Sequence, residues 1–473
     1  MRALLLSLLA AVGVACGSDD GSPGSDGGLD APASLPAWPH DLPAASELGA
    51  LRGFTRARAI VHLHSPLSHD ACDGEGWVDG RLADAGCLEH LRSAACTLRM
   101  DALFLTDHAP HIEEAGFADA LWASGPGDEL IRDAAGDAIA AHWACPDGRR
   151  VLVTVGAEND LMPVGLLRHP VEPSDPTALA AAYDASGPEA AARFREAGAL
   201  VFVAHTEGRS IASLRETAPD GIEIYNTHAN IDPDIRETFL GLPAFGFIEA
   251  LTRFSSGGSR LEPDLSFLAF YSENEPAIDT WDTLLSEGMR LVGTGGCDAH
   301  ENAFPTTMPD GERGDSYRRM MRWHTHHLLV RGTDRSEVLE ALGAGRLYVA
   351  FEALGTPVGF DFHAQETDGS VVEMGGTART GSTLRVVRPS LPEGFPHEPA
   401  PEISLRILRA APGGAVEVAS GAGPSLEHEL REPGAYRAEV RIVPEHARPY
   451  LGRSADALLA ERVWIYANPI YVE

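Results

Sequence analysis

Seven short apolar runs recur between residues 59 and 330, at 59–63, 102–105, 151–155, 199–203, 222–225, 291–294 and 327–330. Continuous runs of this length suit strands of a parallel sheet covered on both faces. Between them, 82–100, 177–197, 279–287 and 336–342 read as helices, and Gly198 and Gly343 stand where helix stops are expected. Strands alternating with helices confine the chain to a parallel (β/α) barrel or a doubly wound sheet.

The first six runs each carry or lead into residues that can hold a metal. The first ends in His62 and His64, which at a period of two project from one face, and His69, Asp70 and Asp73 follow. The second leads into Asp107-His108, the third into Gly156-Ala157-Glu158 and the fourth into Ala204-His205. The fifth contains Glu223 and continues to Asn226 and His228, and the sixth leads into Cys297-Asp298-Ala299-His300. In an α/β barrel the C-terminal strand ends converge on one face. A single histidine there is ordinarily structural, but ligand types at six successive strand ends point to a shared metal centre. Imidazole and carboxylate without a dedicated thiolate suit Zn, Mn or Fe, and exclude a structural Zn-thiolate site.

Two or three divalent cations would outweigh the charges of Asp70, Glu158 and Asp298 and make a pocket for anions, phosphate esters first. A water bridging such metals becomes hydroxide near neutral pH and attacks the ester, while the metals stabilise the attacked and leaving oxygens. No G-x-S-x-G elbow and no Gly-rich nucleotide loop is present. Asp107 and Arg209 are the candidates for catalytic support. Asp107 either orients a ligand histidine from behind or caps the following loop. Arg209 either meets a substrate anion or forms a surface ion pair. His111 either lines the pocket or faces water, and His324, His326 and His327 are read as structural.

The chain opens Met1-Arg2, runs apolar over 3–15 and reaches Cys16, the pattern of a secretion signal too short to span a bilayer. Gly13-Val14-Ala15-Cys16 is similar to a bacterial lipobox, which would lipidate Cys16 and tether the protein; an ordinary signal peptide is the alternative. Gly17 after that cysteine favours the outer membrane over retention elsewhere, so the expected location is lipid-anchored, periplasmic or at the cell surface. Residues 17–52 are rich in Gly, Ser, Pro and Asp and read as a flexible linker. A metallohydrolase barrel is expected over 53–355. Beyond it, short β-rich runs between Gly/Pro turns suggest a C-terminal β-sandwich domain over 356–473. Trp464, Tyr466, Ile470 and Tyr471 are expected in its core or in its contact with the barrel.

A formal charge of −32 argues against a nucleic-acid partner and leaves a small-molecule ester as the expected substrate. Cys72, Cys87, Cys96 and Cys145 fall in one region where export permits disulfides, and three pairings remain open. Cys297 reads as a small packing residue.

The ordered motifs H-x-H at 62 and 64, T-D-H at 106–108, G-x-E at 156–158, A-H at 204–205 and D-A-H at 298–300 resemble the polymerase and histidinol phosphatase (PHP) family over roughly 59–355. The resemblance implies a distorted seven-stranded (β/α) barrel with two or three divalent metals at the strand C-termini, used for phosphoester hydrolysis. The stretch WIYANPIYV at 464–472 is similar to the end of exported PHP-type phosphoesterases with a C-terminal β domain. By the same resemblance His62 and His64 bind one metal, Glu158 bridges metals, His108 and His205 are single ligands, and Asp298 and His300 close the set. One further ligand is His69 or Asp70, and another is Glu223, Asn226 or His228. Carboxylic ester or carbamate cleavage on the same metals is the neighbouring alternative, and a degenerate surface-binding lipoprotein the more distant one.

Overall fold

The computed structural model describes residues 35–172 and 175–473. The expected signal segment, Cys16 and the first part of the expected linker lie outside the described residues. All seven apolar runs form strands: β1 (Thr55–Leu63), β2 (Ala102–Leu105), β3 (Arg150–Val155), β4 (Leu200–Val203), β5 (Gly221–Asn226), β6 (Val292–Gly296) and β7 (Thr325–Val330). Every residue of β2, β5, β6 and β7 is buried, which is why no polar alternation marks them.

Strands β1, β2 and β3 run parallel, with Ala59 opposite Ala102 and Ala102 opposite Leu152. Strands β4, β5 and β6 form a second parallel group, in which Gly221 faces Phe202 on one side and Val292 on the other. Strand β7 departs from the expectation, lying antiparallel to β1 with His326 opposite Ala59. The seven strands are divided between two hydrogen-bonded sheets, not joined in one all-parallel ladder. Single backbone bonds stitch the two together: Leu166 N donates to Val155 O at 2.8 Å, Asp298 N to His62 O at 3.0 Å and His64 N to Ala299 O at 3.2 Å. Ala59 and Val61 of β1, Phe104, Leu152, Phe202, Val292 and Leu328 form one core shared by both sheets. The protein is a mixed α/β fold built on one large mixed sheet.

Helix α1 (Ala85–Thr97) is capped by Asp84, which accepts from Cys87 N, and buries Cys87, Leu88, Leu91, Ala94 and Ala95 at helical spacing. The helix expected over 177–197 is two, Pro176–Tyr183 and Gly187–Glu196, because Gly187 takes a φ of 77° and Pro188 restarts the chain. Helix α2 (Glu275–Ser286) covers β5. The disulfides pair Cys72 with Cys87 and Cys96 with Cys145, and Cys297 is a buried free thiol.

The domain boundary expected near 355 is crossed by backbone hydrogen bonds. Strands β8 (Leu347–Ala350), β9 (Gly434–Val443) and β10 (Arg462–Ala467) continue the large sheet, β8 pairing with β7 and β10, and β10 with β9. Trp464 and Tyr466 are buried in β10, and the Trp464 indole donates to Gly355 O at 2.8 Å. Buried Arg437 of β9 holds Asp282 of α2 through two bonds of 2.9 and 2.8 Å. Residues 35–52 correct the linker expectation: Trp38 and Leu42 are each 2% exposed, with Ala45 and Leu48 buried beside them. Four apolar side chains supply here the burial that a Gly/Ser/Asp tether lacks.

A charged group is buried between β1 and β7. Arg58 Nε donates to Glu352 Oε1 at 2.8 Å, His327 Nε2 lies 2.6 Å from that oxygen, and the Thr325 and Thr356 hydroxyls donate to the same carboxylate. Burial pushes the Glu352 carboxyl up, but Arg58 and His327 outweigh it and hold it well below the ordinary range.

Three other histidines are buried neutral: burial pushes His324 down to about 4, His326 to about 3 and His446 to about 4. A depressed pKa means that the unfolded chain takes up protons the folded chain refuses, so stability is lost as pH falls from 6.5 toward 4. Three protons correspond to about 4 kcal/mol per pH unit at the steepest point. Urea titrations at stepped pH should show the midpoint dropping through this window; a constant midpoint from about pH 7 to about pH 4.5 would contradict it.

Candidate metal centre

The C-terminal ends of β1 to β6 deliver the polar residues to one place, and the backbone bends to do it. His62, His205 and Asp298 have φ values of 69°, 49° and 55°, a region that costs a non-glycine residue about 1–3 kcal/mol. At His62 the ladder with β2 skips a residue between Val61 and Leu63, a bulge that re-aims the side chain. His62 and His64 therefore converge as their spacing predicts, though through a bulge and not a regular pleat, with their Nε2 atoms 3.1 Å apart. Gly296 leaves the room this needs: a β-carbon there would sit 2.4 Å from both Asn226 Nδ2 and Glu223 Oε1.

Four atoms form the centre of the group: Nε2 of His62, Nε2 of His64, Glu158 Oε2 and Asp298 Oδ1. His62 Nε2 lies 3.0 Å from Glu158 Oε2 and 3.3 Å from Asp298 Oδ1, and His64 Nε2 lies 3.3 Å from each. Ligands about 2.0–2.1 Å from a tetrahedral Zn stand roughly 3.3 Å apart, and these separations match that spacing. They are not aligned as hydrogen bonds: Glu158 Oε2, Asp298 Oδ1 and His300 Nε2 are buried without a hydrogen-bond partner. Orphaned polar atoms converging at ligand spacing fit a divalent cation.

Two further groups share members with the first. One joins His205, His228 and Asp298, with His205 Nε2 3.2 Å and His228 Nδ1 3.5 Å from Asp298 Oδ2. Glu158 Oε1 also faces His205 Nε2 at 3.3 Å, so both carboxylates offer one oxygen to each group. The other joins His64, His108 and His300, whose His64 and His300 rings stack at 3.7 Å.

Four of the histidines have their outer ring nitrogen engaged, which fixes the tautomer and aims Nε2 inward. His62 Nδ1 lies 2.6 Å from Glu223 Oε1, His64 Nδ1 3.1 Å from Ser68 Oγ, His108 Nδ1 2.9 Å from Glu158 O and His300 Nδ1 2.9 Å from Asp298 O. Burial pushes His62 down, but Glu158 and Asp298 outweigh it and raise it well above its usual range. Against the same burial, Asp298 and Glu158 bring His64 up to about 9. Burial would raise Glu158 and Asp298, yet the histidines, His62 first, hold both well below the carboxylate range. A cation entering this set displaces protons, so its affinity falls as pH falls.

Several candidates lie elsewhere than the sequence suggests. Glu223 stands behind the ligands: its oxygens meet His62 Nδ1, His205 N and Asn226 Nδ2, which makes it an orienting partner. Asn226 reaches both Glu223 and Asp298, at 3.0 and 3.3 Å. Of the three competitors on β5 and its loop, His228 joins a ligand group. Asp70 approaches His300 Nε2 at 3.5 Å and accepts from Ser68 Oγ, whereas His69 is exposed and stands outside the groups. Asp107 holds the backbone NH and hydroxyl of Ser65 at 2.6 and 2.8 Å, fixing the chain just past His64 without joining the ligand groups. Arg209 is paired with Asp160 at 2.8 Å near the surface, the ion-pair alternative. Glu207, which sequence reasoning missed, lies 3.4 Å from His205 Nδ1 and is held by Asn274. Its place two residues after His205 was the available signal.

No known family profile matches the chain, and no curated protein matches it. Among solved structures it is similar to a two-domain protein from Bacteroides vulgatus that contains a predicted PHP-like metal-dependent phosphoesterase, at 13% identity and a TM-score of 0.31, covering 88% of this chain and 96% of that one. It is also similar to the lesion-specific endonuclease EndoQ of Pyrococcus furiosus, at 10% identity and a TM-score of 0.30, covering 61% and 56% respectively.

Proposed function

We propose that the chain is a metal-dependent hydrolase of phosphoesters, built on two sheets that read as halves of one distorted seven-stranded barrel. The observation that carries this reading is the set of 3.0–3.3 Å separations from the Nε2 atoms of His62 and His64 to Glu158 Oε2 and Asp298 Oδ1, two buried oxygens without a hydrogen-bond partner. These four would hold one ion. His205 and His228, with the second oxygens of Asp298 and Glu158, would hold another, and His108 and His300 beside Asp70 are the candidates for a third. When bound, such ions supply Lewis-acid stabilisation of the attacked ester and an activated water near neutral pH.

The chain's own residues do the rest. Glu223 keeps the proton of His62 on Nδ1 and Glu158 O that of His108, so the inward nitrogens carry lone pairs. Asp107 locks Ser65 and with it the register of His64. Burial of the innermost ligands excludes bulk water and strengthens every charge interaction within. A phosphoester fits a cationic centre better than a neutral ester, which gains less from concentrated positive charge.

Export and lipid anchoring at Cys16 belong to the same proposal, and the two disulfides support them, since such bonds persist in oxidising compartments. The test is elemental analysis of the purified protein, followed by paired assays on an aryl phosphate and the matching aryl acetate. At least two divalent ions per chain and chelator-sensitive phosphate release are expected. Absence of stoichiometric metal would end the proposal, and faster acetate cleavage would move it to carboxylic esters.

A further inference from the structure

The side chains of His228, His205 and His108 are 45%, 26% and 24% exposed, His228 the most, whereas those of His62 and His64 are 0%. His205 begins the turn Thr206–Gly208, and at its end Gly208 meets an aromatic ring. A β-carbon at Gly208 would lie 3.2 Å from Phe239 Cζ and 3.5 and 3.6 Å from Cε2 and Cε1. The ring therefore stands tip-first against the turn of one ligand histidine. Its own segment starts from the other, leaving His228 and passing through the helix Pro233–Thr238.

Phe239 is 42% exposed, one of four large apolar side chains so exposed among the described residues, and Phe245 of the same segment is another. The tip of the ring is turned to Gly208, and a large part of its surface stays open to solvent. Next to Gly208 in the chain, Arg209 is paired with Asp160 and so is not a free cation for a second anionic group. A ring held by its edge keeps face area for offset stacking on another ring.

We propose that Phe239 binds the ring of an aromatic leaving group, which makes the substrate class an aryl phosphoester. The inference rests on the phosphoester reading of the metal centre. Its test is Phe239→Ala in the metal-loaded full chain, assayed on naphthyl phosphate and methyl phosphate. The naphthyl-to-methyl ratio of kcat/KM is expected to fall about 2- to 12-fold, through KM, and to recover in Phe239→Tyr. An unchanged ratio overturns the proposal.

Calorimetry with naphthylphosphonate and methylphosphonate reads the same preference without turnover. A preference for the aryl ligand that the alanine variant loses, in a protein that hydrolyses neither phosphate, supports Phe239 and defeats the phosphoesterase reading alone. Binding of neither phosphonate, or binding without preference, overturns the role of Phe239. Metal content measured in parallel must match between variants, since Phe239 offers no ligand atom.

Discussion

Asp298→Asn is expected to lower turnover on the order of 10³-fold or more and to leave the chain with less than half of its metal. Asp298 is the residue two ligand groups have in common, with Oδ1 near His62 and His64 and Oδ2 near His205 and His228. Asparagine keeps the shape but replaces one oxygen by an NH₂, which donates where a lone pair is needed and removes the charge. Lewis-acid stabilisation is worth several kcal/mol, and losing it through one shared ligand converts to that fall in rate. Metal per chain by mass spectrometry and kcat on an aryl phosphate check the two halves separately. A variant that keeps all its metal and loses little activity would show that Asp298 serves the backbone turn and not the ions.

Glu352→Gln should cost about 3–5 kcal/mol of stability, because it strands Arg58 as an uncompensated buried charge. Arg58 and Glu352 are both 0% exposed. Chemical denaturation at neutral pH measures the difference. The pH dependence gives a second check. The wild-type carboxylate is depressed in the fold, so its contribution is present above the ordinary value of 4.5 and fades as pH falls below it. The denaturation curves of wild type and variant should therefore approach one another in acid. Parallel curves down to about pH 3 would assign the loss to packing instead.

The strands and most of the residues that meet at their ends were legible in the sequence for a simple reason. A strand buried on both faces must be apolar throughout, so the first polar residues after each run sit at its C-terminal end, where the chain can turn inward. His64, His108, Glu158, His205 and Asp298 are all found by that rule. It fails inside a strand, because burial on both faces leaves no alternation to say which way a side chain points. Glu223 lies within β5, and only the fold reveals that it faces the back of His62. His228 was hidden differently, two residues beyond the strand end, where a loop decides direction. The left-handed conformations of His62, His205 and Asp298 had no signature either, since sequence marks that region by glycine. The linker reading went too far because composition averaged Trp38 and Leu42 into a stretch dominated by small residues. Texture likewise suggested a separate sandwich after 355, for β-rich composition does not say which edge a strand joins.

The joining of β8 to both β7 and β10 has a consequence for how the molecule moves. Two bodies that share a hydrogen-bonded ladder cannot swing about a hinge without breaking it, and Arg437 and Asp282 rivet a second point of the same seam. Among the described residues the two regions are therefore joined through this seam and not through a free linker. On the more exposed side of the centre, the stretch from His228 to Phe245 belongs to neither sheet and is held instead by the helix Pro233–Thr238.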